Sequence, residues 1–269
     1  MSSELLATKK DLARHDGVPR AGVADRYFQI MSLVLLAIVL IGFSRTLFLR
    51  PIFKVPAIPW YVYIHGAVMT AWIVLLVTQT SLIAARRIDL HRRLGIGGAF
   101  LAVAVASLGL LLTLTIPSLV HDKIPSPTGQ PMPFSIAYRI MWINVGSILL
   151  FATMVPMALW KRRRPDVHKR LMLLASFALI GPAVGRMSGF PELWGITASA
   201  PLVTAIFHAL PVVSALGLPL TLVAHDLLIM HRLHRATIWG VGATLAIGAV
   251  FNAAIPGTAV AHAVWNALL

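Results

Sequence analysis

The stretch LGIGGAFLAVAVASLGLLLTLTIPSL (residues 94–119) runs for 26 residues without an Asp, Glu, Lys or Arg. About 20 apolar residues, rising 1.5 Å each, carry a helix across the hydrocarbon core of a bilayer. This stretch is long enough by itself. Polar residues mark its two ends, Leu90-His91-Arg92-Arg93 before it and His121-Asp122-Lys123 after it. Working outward, six more stretches read the same way, at 27–48, 58–84, 134–160, 169–187, 201–230 and 236–256, the last with room to continue helically toward Leu269. The connectors are short and rich in Pro, Gly and charge. Residues 121–133 form the clearest loop, with Pro125, Pro127, Pro131 and Pro133.

The composition agrees. Of 269 residues 58% are hydrophobic and 12% charged, about half the charge of a typical soluble domain. The expected fold is all-α, a polytopic membrane helix bundle of about seven transmembrane helices. Residues 1–26 read as a cytoplasmic polar tail and 27–269 as a single transmembrane helical domain. The chain has no cysteine, which excludes disulfides, thiolate-bound zinc, iron–sulfur clusters, covalent c-type haem and a cysteine nucleophile. Gly95-Ile96-Gly97-Gly98 is not a dinucleotide fingerprint, because the last glycine is missing and no strand precedes it. No phosphate-binding loop, His-Glu-x-x-His motif or Ser–His–Asp set is present.

The net charge is +14, and its distribution sets an orientation. Lys9, Lys10, Arg14, Arg20 and Arg26 precede the first span. Arg86, Arg87, Arg92 and Arg93 lie between the second and third, and Lys161, Arg162, Arg163, Arg164, Lys169 and Arg170 between the fourth and fifth. Arg232 and Arg235 lie between the sixth and seventh. All these connectors share one side, the cytoplasmic one by the positive-inside rule. The N-terminus is therefore expected inside, and nucleic acid is not an expected partner. Trp60, Trp160, Trp194, Trp239 and Trp265 fall at expected interfaces, while Trp72 and Trp142 lie deeper.

Histidines recur with a pattern. Three of the basic connectors end in Leu90-His91-Arg92-Arg93-Leu94, Val167-His168-Lys169-Arg170-Leu171 and Leu233-His234-Arg235. Stepping back 26 residues from His91 and from His234 reaches His65 and His208, whereas the same step from His168 reaches Trp142. The chain thus reads as related helical hairpins, with His at two levels in the first and third. His65 and His208 each lie about seven residues into an inward-going helix, roughly 10 Å below the outer boundary. Two imidazoles at one depth suit an axially bis-His haem b or part of a metal site, which His262 would extend. The alternative is that each His hydrogen-bonds within the bundle. His91, His168, His225, His231 and His234 form an inner level, where helix capping or lipid phosphate contact competes with a second haem or a quinone headgroup.

Of the nine acids only Asp226 falls inside an expected span. That argues against a carboxylate-bridged di-iron centre and against a proton-coupled transporter built on membrane carboxylates. Arg45, Arg139 and Arg186 lie in the outer thirds of the first, fourth and fifth spans. Each can snorkel to water. Together with His65 and His208 they make a donor-rich layer suited to an anion, whether haem propionates, a phosphate or an acidic substrate. Pro156, Pro182, Pro211 and Pro219 fall in spans four to six, where proline bends a helix.

The stretch His65-Gly66…Trp72…Gln79…Leu90-His91-Arg92-Arg93-Leu94-Gly95 resembles a group of uncharacterised bacterial multi-spanning membrane proteins with an intramembrane His and a His-Arg-x-Leu-Gly turn. His168-Lys169-Arg170-Leu171-Met172 belongs to the same pattern. The likeness covers about a quarter of the chain, implies a bacterial cytoplasmic (inner) membrane and implies no activity. More loosely, His at two levels resembles b-type transmembrane cytochromes, which carry two His pairs on their core helices. The leading expectation is an integral membrane redox protein, an oxidoreductase or electron carrier. It would bind haem b through His65 and His208, neutralise the propionates with Arg45, Arg139 and Arg186, and exchange electrons with a quinone or small molecule. The alternatives are a transporter or binding protein for a small anion without a cofactor, a copper, iron or zinc ion held by His65, His208 and His262, or a structural membrane protein. Oligomers are compatible with each.

Overall fold

The computed structural model describes residues 21–53, 58–121, 133–193 and 199–269, and the expected tail residues 1–20, Trp194 and most of the 121–133 loop lie outside them. The described residues are helical throughout, with no strand. Helix α1 (Ala21–Phe43) continues into a π-helical turn (Ser44–Phe48) and a short α2 (Arg50–Phe53). It is followed by α3 (Trp60–Ala84), α4 (Ile88–Leu114), the short α5 (Ile116–His121) and α6 (Phe134–Trp160). Next come α7 (Pro165–Ala178), α8 (Gly181–Ser188), the short α9 (Phe190–Leu193) and α10 (Pro201–Leu228). Helix α11 (Arg235–Ala249) ends in a π-helical turn (Val250–Ala254) and a 3-10 turn (Ile255–Gly257), and α12 (Ala259–Ala267) closes the chain.

Six helical segments are long and apolar enough to cross a membrane, and α7 and α8, bent by 41° at their junction, make a seventh if they are one span. The protein is a multi-pass membrane helix bundle. Its outward faces carry bare apolar side chains, among them Phe100, Val103, Leu202, Val212 and Leu228, as suits helices that face a bilayer.

This bent pair is the one at the centre. From Arg170 to Phe177 α7 buries nearly every residue, against α1, α6, α10 and α11, while α8 lies on α1 and α10. Pro182 stands at the start of α8, where it lacks a hydrogen to donate to the preceding turn. Pro156, Pro211 and Pro219 by contrast lie inside continuous helices. Trp72 on α3 donates to the Ser176 hydroxyl at 3.1 Å and stands edge-on to Phe151 of α6, which ties three helices to this centre. At Gly42 a Cβ would run into the Ala183 backbone, so α1 and α8 touch main chain to main chain there. Small residues permit such approaches between helices in lipid.

Several expectations shift. Helix α4 starts at Ile88 and α7 at Pro165, so the two His-containing motifs lie inside first helical turns and not in connectors. The reason is the helix dipole. Asp89 and Asp166 sit in those first turns, where the positive end of the helix dipole favours a carboxylate. The final span stops at Gly257, and Thr258 starts a separate helix by accepting from the Ala261 amide at 3.2 Å. Trp265 is not an interfacial anchor. It is buried with Tyr138, Met141 and Trp142 in a second core formed where α12 meets α6. Trp60, Trp160 and Trp239 are about three-quarters exposed, as anchors are.

Candidate functional site

The end of the bundle opposite the basic connectors assembles a cluster from α1, α3 and α8. Helices α1 and α8 run in the same direction and touch at Gly42 and Ala183. Three residues further, about one turn, come Arg45, in the π-helical turn, and Arg186. The Arg186 guanidinium lies over the Phe43 ring at 4.4 Å and donates to the Pro182 carbonyl at 2.9 Å. Arg45 is 5.7 Å from the Phe53 ring centroid. Helix α3 enters beside them, where Gly66 meets the Leu47 side chain. That contact brings in His65, whose ring faces the Leu108 carbonyl of α4 and feels the Arg186 charge.

Four polar atoms in this cluster are buried without a hydrogen-bond partner: Arg45 Nε, Thr46 Oγ1, His65 Nδ1 and Arg186 Nε. Buried polar groups in native proteins are paired almost without exception, and each unpaired one costs about 1–3 kcal/mol. The two guanidinium Nε–H groups and the Thr46 hydroxyl can donate to an incoming acceptor atom, whereas His65 Nδ1, on a ring that donates through its other nitrogen to the Leu108 carbonyl, is itself an acceptor. The acids whose side chains are described, Asp89, Asp166 and Asp226, all lie at the other end. Arg50 stands beside the cluster, buried, donating to the Thr46 carbonyl at 3.0 Å and facing the Tyr63 ring at 5.8 Å.

Of the five residues expected to form the outer site, His65 and Arg186 come within electrostatic reach of each other, and Arg45 lies on the turn after α1 beside them. The other two do not join them. Arg139 is exposed on α6. His208 is exposed on α10, which packs on α7, α8, α9 and α11, whereas His65 belongs to α3, which packs on α1 and α4. His262 is exposed and stacks on Tyr138 with ring centroids 4.9 Å apart. Among the described residues no group of three His, Asp or Glu side chains is placed to hold a metal ion. Sequence reasoning missed Thr46 and Arg50. Thr46 adjoins Arg45, but nothing in a single hydroxyl signals that its oxygen will be buried unpaired.

The basic end holds a different arrangement. Arg170 is not a connector cation: it is buried and pairs through Nη2 with Asp226 Oδ1, although 56 residues separate them. Its Nε donates to Thr237 Oγ1 at 3.1 Å and its Nη1 to the Asp166 carbonyl at 2.9 Å. Asp226 Oδ2 accepts from Thr237 Oγ1 at 2.5 Å and from the His234 amide at 3.1 Å. His225 meets Asp226 through Nδ1 at 3.3 Å and stacks on Tyr27 at 4.3 Å. His234 caps α11 by accepting from the Ala236 amide at 3.1 Å. His91 and His168, each the fourth residue of its helix, meet with ring centroids 6.3 Å apart, and His168 Nδ1 is 2.9 Å from the Ala158 carbonyl. His231 is exposed at a left-handed helix end with φ 51°. The inner histidines thus divide between capping, helix ends and packing, with His91 Nδ1 and His225 Nε2 buried without a hydrogen-bond partner.

Fold and cluster together define an all-helical multi-pass membrane protein with a polar cluster of two arginines, a threonine and a histidine near one end of the bundle. Compared with known families, curated proteins and solved structures, the chain matches none.

Proposed function

We propose that the protein binds a small anion, or the acidic group of a small organic molecule, between α1, α3 and α8. Arg45 and Arg186 would supply charge and directed N–H groups, Thr46 a hydroxyl, and His65 a ring nitrogen. The observation that carries this reading is the set of four buried, unpaired polar atoms beside two guanidinium groups. Arginine suits the task because its fork donates along two parallel lines to a carboxylate or phosphate. A haem held by paired histidines is supported less well, since His208 is exposed on a helix that is not closely packed on the helix of His65. That all the basic connectors lie at one end supports a bacterial cytoplasmic membrane with this end inward.

Thermal unfolding of detergent-purified protein at constant ionic strength, with chloride, phosphate, sulfate, acetate or a short dicarboxylate, tests the proposal. At least one anion is expected to raise Tm, and Arg186→Gln is expected to remove that rise. No shift with any anion overturns the reading. The absorption spectrum of the same sample separates the alternatives, since a stoichiometric Soret band would restore haem as the ligand.

A further inference from the structure

A groove of about 960 Å³ runs between α6 and α11 at the basic end, with Val167 and Leu171 of α7 at its floor. Its rim carries Lys161 and Arg164 from one connector and Arg232 and Arg235 from another. Against these four cations stands one carboxylate, Asp166, which pairs with Lys169 at 3.8 Å. Among the described residues none of the four is held in an ion pair. Below the rim the walls are apolar, with Leu150 and Met154 of α6 across from Ala243 and Ile247 of α11.

The dimensions point to the occupant. Leu150 to Lys161 spans ~16 Å of helix, and Arg235 to Ile247 ~18 Å. Half the hydrocarbon thickness of a bilayer is ~15 Å. The groove is therefore one leaflet deep, cationic at headgroup height and apolar down to the midplane. Trp160 and Trp239, both about three-quarters exposed, flank the rim, and Lys161 Nζ sits 3.7 Å from the Trp160 ring centroid. These are the rings that settle at the interface. A soluble anion would use only the rim and leave the apolar walls to bulk lipid.

We propose that this groove binds one anionic diacyl phospholipid from the leaflet on the basic side. Its phosphate is held by Lys161, Arg164, Arg232 and Arg235, and one acyl chain lies along the apolar walls. The site is independent of the cluster at the other end.

Trp239 lines the groove, so its emission reports the lipid beside it. Wild type and Trp239→Phe are reconstituted in phosphatidylcholine vesicles with brominated chains on either phosphatidylcholine or phosphatidylglycerol, and the difference between the two proteins isolates Trp239. The expected result is a preference of about tenfold for the anionic lipid, lost in the Lys161→Gln/Arg164→Gln/Arg232→Gln/Arg235→Gln variant. It is kept in Arg92→Gln/Arg93→Gln, which removes charge from a different connector. Equal quenching by both lipids in wild type overturns the proposal, even if the fourfold variant fails to fold. So does a preference that survives in the fourfold variant, or one abolished by inorganic phosphate, which would assign the rim to a soluble anion.

Discussion

At the basic end Arg170 is enclosed by Asp226, Thr237 and the Asp166 carbonyl, and each of its three nitrogens has a partner. At the opposite end Arg45 and Arg186 keep their Nε groups buried and unmatched, with Thr46 and His65 in the same condition beside them. Both regions bury arginine in the bundle of a membrane protein. A buried charge that is fully paired is complete and has nothing left for a ligand; its work is to hold α7, α10 and α11 in register. The two guanidinium Nε–H groups and the Thr46 hydroxyl are donors without acceptors, and in the function proposed above an anion completes them.

The comparison breaks first at Asp226. Asp226→Asn leaves the Arg170 charge buried without its counterion, and the expected loss is about 3–5 kcal/mol, read as a large drop in Tm or failure to purify as a monodisperse species. Replacing both partners, Arg170→Met with Asp226→Leu, is expected to recover most of that loss, because no charge is then stranded. If the single variant unfolds no more easily than wild type, the closed network is not structural.

At the other end the same kind of change has a different signature. Arg45→Gln or Arg186→Gln removes a cation that has no described counterion and an Nε buried without a partner, so stability without ligand is not expected to fall. What disappears is the ligand-dependent part, about 2.7 kcal/mol at a concentration 100 times Kd. A loss of Tm equal with and without the anion would make the two ends alike and remove the contrast.

Gly42→Ala tests how the open cluster is held. The added methyl collides with the Ala183 backbone, and overpacking of this kind costs about 1–3 kcal/mol. Since this contact lies three residues before both Arg45 and Arg186, anion stabilisation is expected to fall together with Tm. Retention of full anion stabilisation would mean that the contact does not position the arginines.

The smallest effect is a pH dependence at the closed end. Partial burial, reinforced by the Arg170 charge, lowers the pKa of His234 below its ordinary value of 6.5, and its Nδ1 must stay unprotonated to accept from Ala236. The unfolded chain takes up the proton more readily, so this contribution is intact above pH 6.5 and is lost as the pH falls through the folded-state value. His234→Asn, which keeps a cap acceptor, is expected to flatten that part of the profile between pH 7.5 and 5. An unchanged difference between wild type and variant across that range would rule the contribution out.

How much was legible before the fold is clearest at individual residues. The spans were, because crossing a bilayer demands a run of apolar side chains whatever the neighbours do, and residues 134–160 coincide with helix α6. Arg45, His65 and Arg186 were legible as a layer, because depth along a helix follows from counting residues. Their partners were not. His208 stands at a similar depth by residue count, but it is exposed on α10, since rotation about the helix axis is settled by packing and not by depth. Arg170 read as one more connector cation until the start of α7 at Pro165 drew it inside the bundle opposite Asp226.

The sequence by itself determined the class of protein, the approximate bounds of six of its spans, and a scarcity of membrane carboxylates that leaves arginine and histidine as the polar groups at one end. Tertiary structure alone decided which charges close on each other and which stay open. Hydropathy is a property of one segment, summed along it, whereas a buried ion pair or an unmatched donor exists only between segments, once the bent helix pair at the centre has brought distant helices into contact.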